Sequence, residues 1–392
     1  MNHTDQPVTA LRALSINDEA SIVRNGGNGN DGAGGGRHQG PVGNARDAQY
    51  LLKRVTGMLS SIVQSLVKRA ALLVMVSILV FIVLRVVPQD PLASLLPADA
   101  SAADAATMRH RLGLDLPIYI QYGHWLWAAV HGDFGTSLAT GDGVFPLLRS
   151  ALPTTLQLVV LGLLFGAFSG VAGALLVFRF RGTPFEAGAE VVNSVAISIP
   201  DFLWALLGIL TLGVAYQLLP FIGPIDSAMQ IPSVTGFLLV DTLLAGRIDA
   251  FFNALLHLVL PCFAMGMGIA PPLMRILRSS LIEVYREEYV AAAYLRGRSD
   301  ARILIGHALR NAALPAVAML GMQAGALVGG TLLIETIFGF PGIGSLMVNA
   351  VRGHDLPLIQ ALAVTYAVAV QLMNMLADAA QILLNPKLRT RR

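Results

Sequence analysis

Residues 156–178 read LQLVVLGLLFGAFSGVAGALLVF, 23 positions without a charged side chain. At about 1.5 Å of rise per residue, a helix of this length crosses the roughly 30 Å of hydrocarbon in a bilayer. A helix satisfies its own backbone hydrogen bonds in lipid, and the run is too long and continuous for the alternating strand of a barrel. Outward from it lie five more apolar segments, Ala70 to Val87, Val195 to Leu219, Ala254 to Leu277, Leu314 to Ile334 and Leu358 to Leu384. The expected fold is an all-α membrane protein with six transmembrane helices. Composition agrees: 55% of the 392 residues are hydrophobic and 13% charged, against about 45–50% and about 25% in soluble domains. The net charge of +3 gives no reason to expect a nucleic-acid partner. One cysteine, Cys262, closes no intramolecular disulfide and builds no cysteine-rich metal site.

Orientation follows from the Lys and Arg residues of the connections. The stretch before helix 1, the 2–3 and 4–5 loops and the C-terminus carry 17; the opposite side carries five, Arg109, Arg111, Arg149, Arg247 and Arg352. Both termini are therefore expected in the cytoplasm, with the long connection 88–155 outside. Within that connection, Tyr119 to Val130, with Trp125 and Trp127, reads as an amphipathic stretch, either lying at the membrane interface or packed as a loop helix. Residues 1–57 form a separate tail. Its Asn25 to Gly36, NGGNGNDGAGGG, has almost nothing apolar to bury and is expected to be disordered. No apolar core follows a basic head there, so no secretory signal is read, and Met58 is a candidate true start of a transmembrane domain 58–392.

Charged side chains inside a bilayer are costly and mark function by default. Few occur here. Arg85 lies close enough to Pro88 to reach the interface. Pro200 and Asp201, in ISIPDF, are candidate pore or hinge residues, because the proline frees a backbone carbonyl in the third segment. Asp378 reads as a helix-packing hydrogen-bond partner. Prolines at 261, 271 and 272 are expected to bend or divide helix 4. Gly162, Gly166 and Gly170 in helix 2, and Gly321, Gly325 and Gly329 in helix 5, recur every fourth position and align on one face for close helix packing. No histidine pair has the HExxH spacing, neither Ser137 nor Ser345 stands in a GxSxG elbow, and no lysine follows a glycine as a Walker loop requires. No catalytic residue and no metal site is assigned.

The most informative stretch is the cytoplasmic connection 278–313. Its REEYVAAAYLRGRSDARILIGHALRNAALP carries a short apolar face, Tyr289, Val290, Ala293 and Tyr294 or Leu295, stopped by Gly297. A charged loop with one compact apolar face suits docking onto a soluble partner.

These residues resemble a known family. Glu287-Glu288-Tyr289-Val290-Ala291-Ala292-Ala293, then Gly297, then His307-Ala308-Leu309-Arg310-Asn311, is similar to the EAA loop of binding-protein-dependent ABC importer permeases. FIVLRVVPQDPLASLL, RLGLDLPIYIQYGHWL, HGDFGTSL, HLVLP and ETIFGFPGIGSLMVNAVRGHDLPLIQ resemble further segments of its dipeptide, oligopeptide and nickel branch, B-type subunit, over most of Val67 to Arg389. Gln89 departs from the glycine of the family's PGDP turn, and NPKLR stands for DPRIR.

The resemblance implies a type I importer fold and a permease subunit that forms the translocation path with a second, C-type permease. It implies coupling through Glu287, Glu288, Tyr289, Ala292, Ala293, Gly297 and His307 to two separate ABC ATPase subunits, which hold the ATP and Mg; this chain binds no cofactor itself. An extracytoplasmic substrate-binding protein would deliver the cargo, with di- or oligopeptides expected and nickel chelates or glutathione-like ligands as alternatives. The bacterial inner membrane is the implied location. A secondary transporter would lack the docking loop and carry midplane charges, and a membrane hydrolase would need a nucleophile facing a base; the sequence favours neither.

Overall fold

The computed structural model describes residues 42–86 and 115–384, together with residues 103 and 110. The connection 88–155 is thus described from residue 115 onward. Two compact units are present, Met1–Met58 and Leu59–Arg392, and the helical domain is the second. The long first helix, α1 (Val42–Val86), begins inside the expected tail. Residues 42–57 are helical because VGNARDAQYLLKRVTG contains no proline and several good helix formers; the Gly/Asn-rich run lies outside the described residues.

Then follow α2 (Ile118–Val130) and α3 (Val144–Arg179). Next come α4 (Pro184–Ser198) and α5 (Asp201–Gly208), which passes into a π-helical stretch, Ile209–Ala215. After α6 (Leu238–Leu244), α7 (Ile248–Met267) and α8 (Ala270–Val284) come the short α9 (Glu288–Leu295) and α10 (Asp300–Ile303). A second π stretch, Leu304–Ala308, leads into α11 (Leu309–Phe338), and α12 (Ile343–Arg352) and α13 (Leu356–Leu384) follow. Among the described residues the only β pairing is an isolated bridge, Thr136 to Gly143.

Five stretches are long and apolar enough to cross a membrane: Val63–Val86, Val144–Arg179, Ile248–Met267, Asp300–Phe338 and Leu356–Gln381. The sixth is a bent pair. Pro184–Ser198 and Asp201–Ala215 meet at 104°, so the continuous third span expected at Val195 to Leu219 is replaced by two half-length pieces. Pro200 is the cause: it drives Ile199 into extended backbone (φ −96°, ψ 120°) and cannot donate to the preceding turn.

The fourth expected span, Ala254 to Leu277, is likewise divided. Pro261 sits inside α7, whereas Pro271 and Pro272 occupy the first turn of α8, where no N–H is needed. The outer connection ends at Gly143 rather than 155, since α3 continues through Pro153. Its 36 residues make a rod of about 54 Å, some 24 Å longer than the hydrocarbon.

Close approach of α3 to α7 and α8 organises the centre. A β-carbon at Gly162 would stand 2.9 Å from Met265 Cβ, at Gly166 2.7 Å from Ile269 Cβ, and at Gly170 2.8 Å from Leu273 Cδ2. These glycines therefore pack within the chain. Of the second set, Gly321 faces Ala377 and Gly325 faces Asn374 on α13, while Gly329 has nothing within 4 Å. Around the α3 seam a core of Leu158, Leu258, Met265, Ile269, Val328 and Phe338 fills the middle. Phe178, Leu277, Leu281, Ala308 and Ala312 close the end where α3 finishes in Arg179.

At the other end α2 lies on α1. Phe81 packs edge-on to Tyr122 at 5.4 Å, and the Tyr122 hydroxyl pairs with Ser77 at 2.8 Å. Arg85 bends onto the same seam: its Nε donates to Gln121 Oε1 at 3.1 Å and its guanidinium lies 4.9 Å from the Phe81 ring centre. Asp378 accepts from Arg69 Nη2 at 2.6 Å, joining α13 to α1.

Candidate functional site: a docking loop, a double helix break and an outer clasp

The expected docking loop is shorter than 278–313, because α8 continues to Val284 and α11 starts at Leu309. What projects is α9 and its flanks. Glu287 is extended (φ −72°, ψ 142°) and Glu288 opens the helix, a favourable place for a carboxylate beside the positive end of the helix dipole. One residue anchors it: Val290 is 1% exposed. Outward, Tyr289, Tyr294 and Leu295 remain exposed, Leu295 at 90%, while Ala292 and Ala293 are half-buried. The expected shared apolar face is therefore divided between a buried valine and a displayed Tyr-Tyr-Leu edge. Arg296 caps the helix, and Gly297 turns the chain in the left-handed region at φ +71°, where a side chain would be strained.

Four hydrogen bonds hold the return arm of the loop. Asp300 accepts from the Tyr294 hydroxyl and, at 3.3 Å, from that of Tyr285. Hydrogen bonding to Asp300 moves the Tyr294 phenol above its ordinary value; burial first, and Asp300 second, does the same to Tyr285. Arg298 Nη1 donates to His307 Nε2 at 2.8 Å, and Asn311 Nδ2 donates to the Tyr289 hydroxyl at 2.8 Å. The loop is tied to the membrane helices by Phe178, whose ring meets Tyr285 at 4.7 Å with Arg181 over both.

Pro200 and Asp201 stand at the first break, and the structure brings the two breaks together. The Asp201 carboxylate lies against Gly268, leaving no room for a side chain there. Proline at 272 leaves the Gly268 carbonyl without its intrahelical donor, and Gln323 Nε2 of α11 supplies one at 3.2 Å. Asn193 Nδ2 of α4 donates to the Pro271 carbonyl at 3.1 Å. Two discontinuous helices and α11 thus share one polar contact zone. Glutamine and asparagine at 323 and 193 escaped the sequence reading because single amides in apolar runs carry no pattern; for Gln323 the signal available was Pro272, which leaves the Gly268 carbonyl in need of a donor.

The end of the domain where α3 begins holds a third arrangement, built from segments quoted above only for their resemblance. Asp355, fully buried, accepts from the Ser137 hydroxyl and caps α13 through Leu358 N–H at 3.2 Å. Nearby, buried Glu335 accepts from the Thr155 hydroxyl at 2.6 Å and from the N–H groups of Gly344 at 2.6 Å and Ser345 at 3.1 Å, at the start of α12. Gly342 and Gly344 are required, since a β-carbon at either would collide with this carboxylate. Ser137 and Ser345 are thus structural hydroxyls. Among the described residues no group of three or more His, Cys, Asp or Glu is placed to hold a metal ion.

The sequence matches the family described as binding-protein-dependent transport system inner membrane component over residues 144–390, and that family's N-terminal region over residues 58–159. It is 36% identical over 319 residues to the di/tripeptide transport system permease protein DppB of Pseudomonas aeruginosa strain UCBPP-PA14, covering 81% of this chain and 95% of that one. Over 318 residues it is 31% identical to the dipeptide transport system permease protein DppB of Escherichia coli K12, covering 80% and 94%. An inward-facing structure of the MetNI methionine ABC transporter aligns with a TM-score of 0.47 at 16% identity, over 61% of this chain and 96% of that one.

Proposed function

The chain belongs to the family of binding-protein-dependent transport system inner membrane components, and we propose that it is the B-type permease subunit of an ATP-driven importer of short peptides, pairing with a second permease. As a member of that family it is a multi-pass protein of the bacterial inner membrane. Peptide cargo is supported by relatives named as dipeptide and di/tripeptide permeases across four fifths of the chain.

The observation that carries the coupling reading is α9: an eight-residue helix held by one buried valine, with Tyr289, Tyr294 and Leu295 exposed. Two ATPase subunits with their ATP and Mg would grip this edge, an exported binding protein would load the opposite face, and both termini would lie on the α9 side. Nucleotide-driven movement of α9 passes to α8 and α11, whose ends meet in the cluster of Phe178, Leu277, Leu281, Ala308 and Ala312. The break at Gly268 is where α8 can hinge, beside the α4–α5 break at Pro200. For nucleotide to drive the transition, the ATPase must hold α9 differently in its two states.

Deleting Glu287 to Leu295, or the change Gly297→Asp, is expected to leave the chain inserted and paired with its second permease but to abolish ATP-dependent dipeptide uptake by membrane vesicles. Undiminished uptake by the deletion variant would refute the assignment of α9.

A further inference from the structure

A helix facing lipid presents apolar side chains, and α4 departs from this along one line. Glu190, Ser194 and Ser198, spaced four apart on one face, are all exposed. With Val191 and Val195 they line an open groove of about 780 Å³ along one side of α4 that ends at Ile199, just before the Pro200 break. A smaller cavity of about 230 Å³ adjoins it, shared by Glu190 and Ser194 with Arg275 and Arg278 of α8.

The level of this groove is set by α3. Gly170 and Gly173 of α3 touch Leu273 and Met274, which places Arg275 roughly 7–13 Å inside the Arg179 end of the span. Because α3 exceeds the hydrocarbon by about 24 Å in all, that depth falls at the cytoplasmic border of the hydrocarbon, with Ser198 a helical turn beyond Ser194. Ser198 is self-sufficient there, since its hydroxyl donates to the Ser194 carbonyl at 3.0 Å. The charged groups are not. The Glu190 carboxylate meets Arg278 Nη1 at 2.6 Å yet its side chain stays 50% exposed. Arg275 Nη2 has the Ser194 hydroxyl at 3.2 Å and no carboxylate partner among the described residues. Turning such groups to acyl chains is costly. Val192, 68% exposed, lies about 160° around the helix from Ser194 and offers lipid an ordinary apolar face.

From this geometry we infer that the Glu190, Ser194 and Ser198 stripe, backed by Arg275, is a wall of the aqueous translocation path near its cytoplasmic end. Resting on the reading of peptide cargo, the wall's two signs of charge give each end of a zwitterionic short peptide a counter-charge as it passes.

Thiol chemistry tests this, because a thiol reacts with a methanethiosulfonate as the thiolate and needs water. The only native thiol, Cys262, is buried, so labelling can be done with Cys262→Ala or, should that variant fold poorly, in the native background with its rate subtracted. In inverted membrane vesicles carrying the assembled complex, Ser194→Cys and Ser198→Cys should react with a charged, membrane-impermeant methanethiosulfonate on the order of tenfold faster than Val192→Cys. The modified complexes should then lose import. Equal, slow labelling at all three positions would place the stripe in lipid, and efficient oxidative cross-linking of Ser194→Cys to the second permease would make it a subunit interface; either overturns the inference. A complex that labels as expected but imports no dipeptide even before modification would refute the cargo and leave the path standing.

Discussion

Two glycine ladders with identical spacing end differently. On α3 all three rungs, Gly162, Gly166 and Gly170, press on α7 and α8, and the middle rung meets both the Ile269 side chain and the Gly266 carbonyl. On α11 the ladder gives out: Gly321 and Gly325 touch α13, but Gly329 opens to empty space. A four-residue repeat therefore tells which face can be approached, whereas the length of the contact is decided by where the partner helix leads. Past the break at Gly268, α8 keeps following α3, so the first ladder continues from Met265 to Leu273.

The contrast can be broken most severely at Gly166. Gly166→Leu puts four carbons where backbone and a β-branched side chain already stand, and should cost about 3 kcal/mol or more. Thermal unfolding of the purified chain, followed by the reactivity of buried Cys262, should show a large fall in midpoint. Gly325→Ala meets only the far end of the Asn374 side chain, 2.6 Å from its Oδ1, which can rotate; a loss of roughly 1 kcal/mol or less is expected by the same assay. Gly329→Ala should be neutral or gain up to about 1 kcal/mol from helix propensity alone. A fall at Gly329 matching that at Gly166 would mean that a helix outside this chain covers the last rung.

Much of this architecture was legible beforehand, because a bilayer forces long apolar runs into helices, and five spans stand close to where hydropathy puts them. The break at Pro200 was visible as chemistry, though its 104° turn was not: hydropathy averages over Ile199 to Asp201 and sees one run. The short helix α9 was legible from its Gly297 stop, but Val290 was grouped with the tyrosines, since an eight-residue helix has too few turns for periodicity to separate an anchor from an exposed edge. Least legible were Glu335 and Asp355. Each is a lone acid in sequence, and its partners at Thr155 and Ser137 lie 180 and 218 positions away.

That last separation bears on how the protein is made. Ser137 leaves the ribosome 218 residues before the aspartate that will hold it, roughly 10–45 s at ordinary rates of synthesis. Throughout that interval the segment around Ser137 stands unfinished, and only delivery of the final span completes it. Closure of this end of the domain therefore falls at the very end of biogenesis, and a chain truncated anywhere short of Asp355 would display the same vacant serine as its mark.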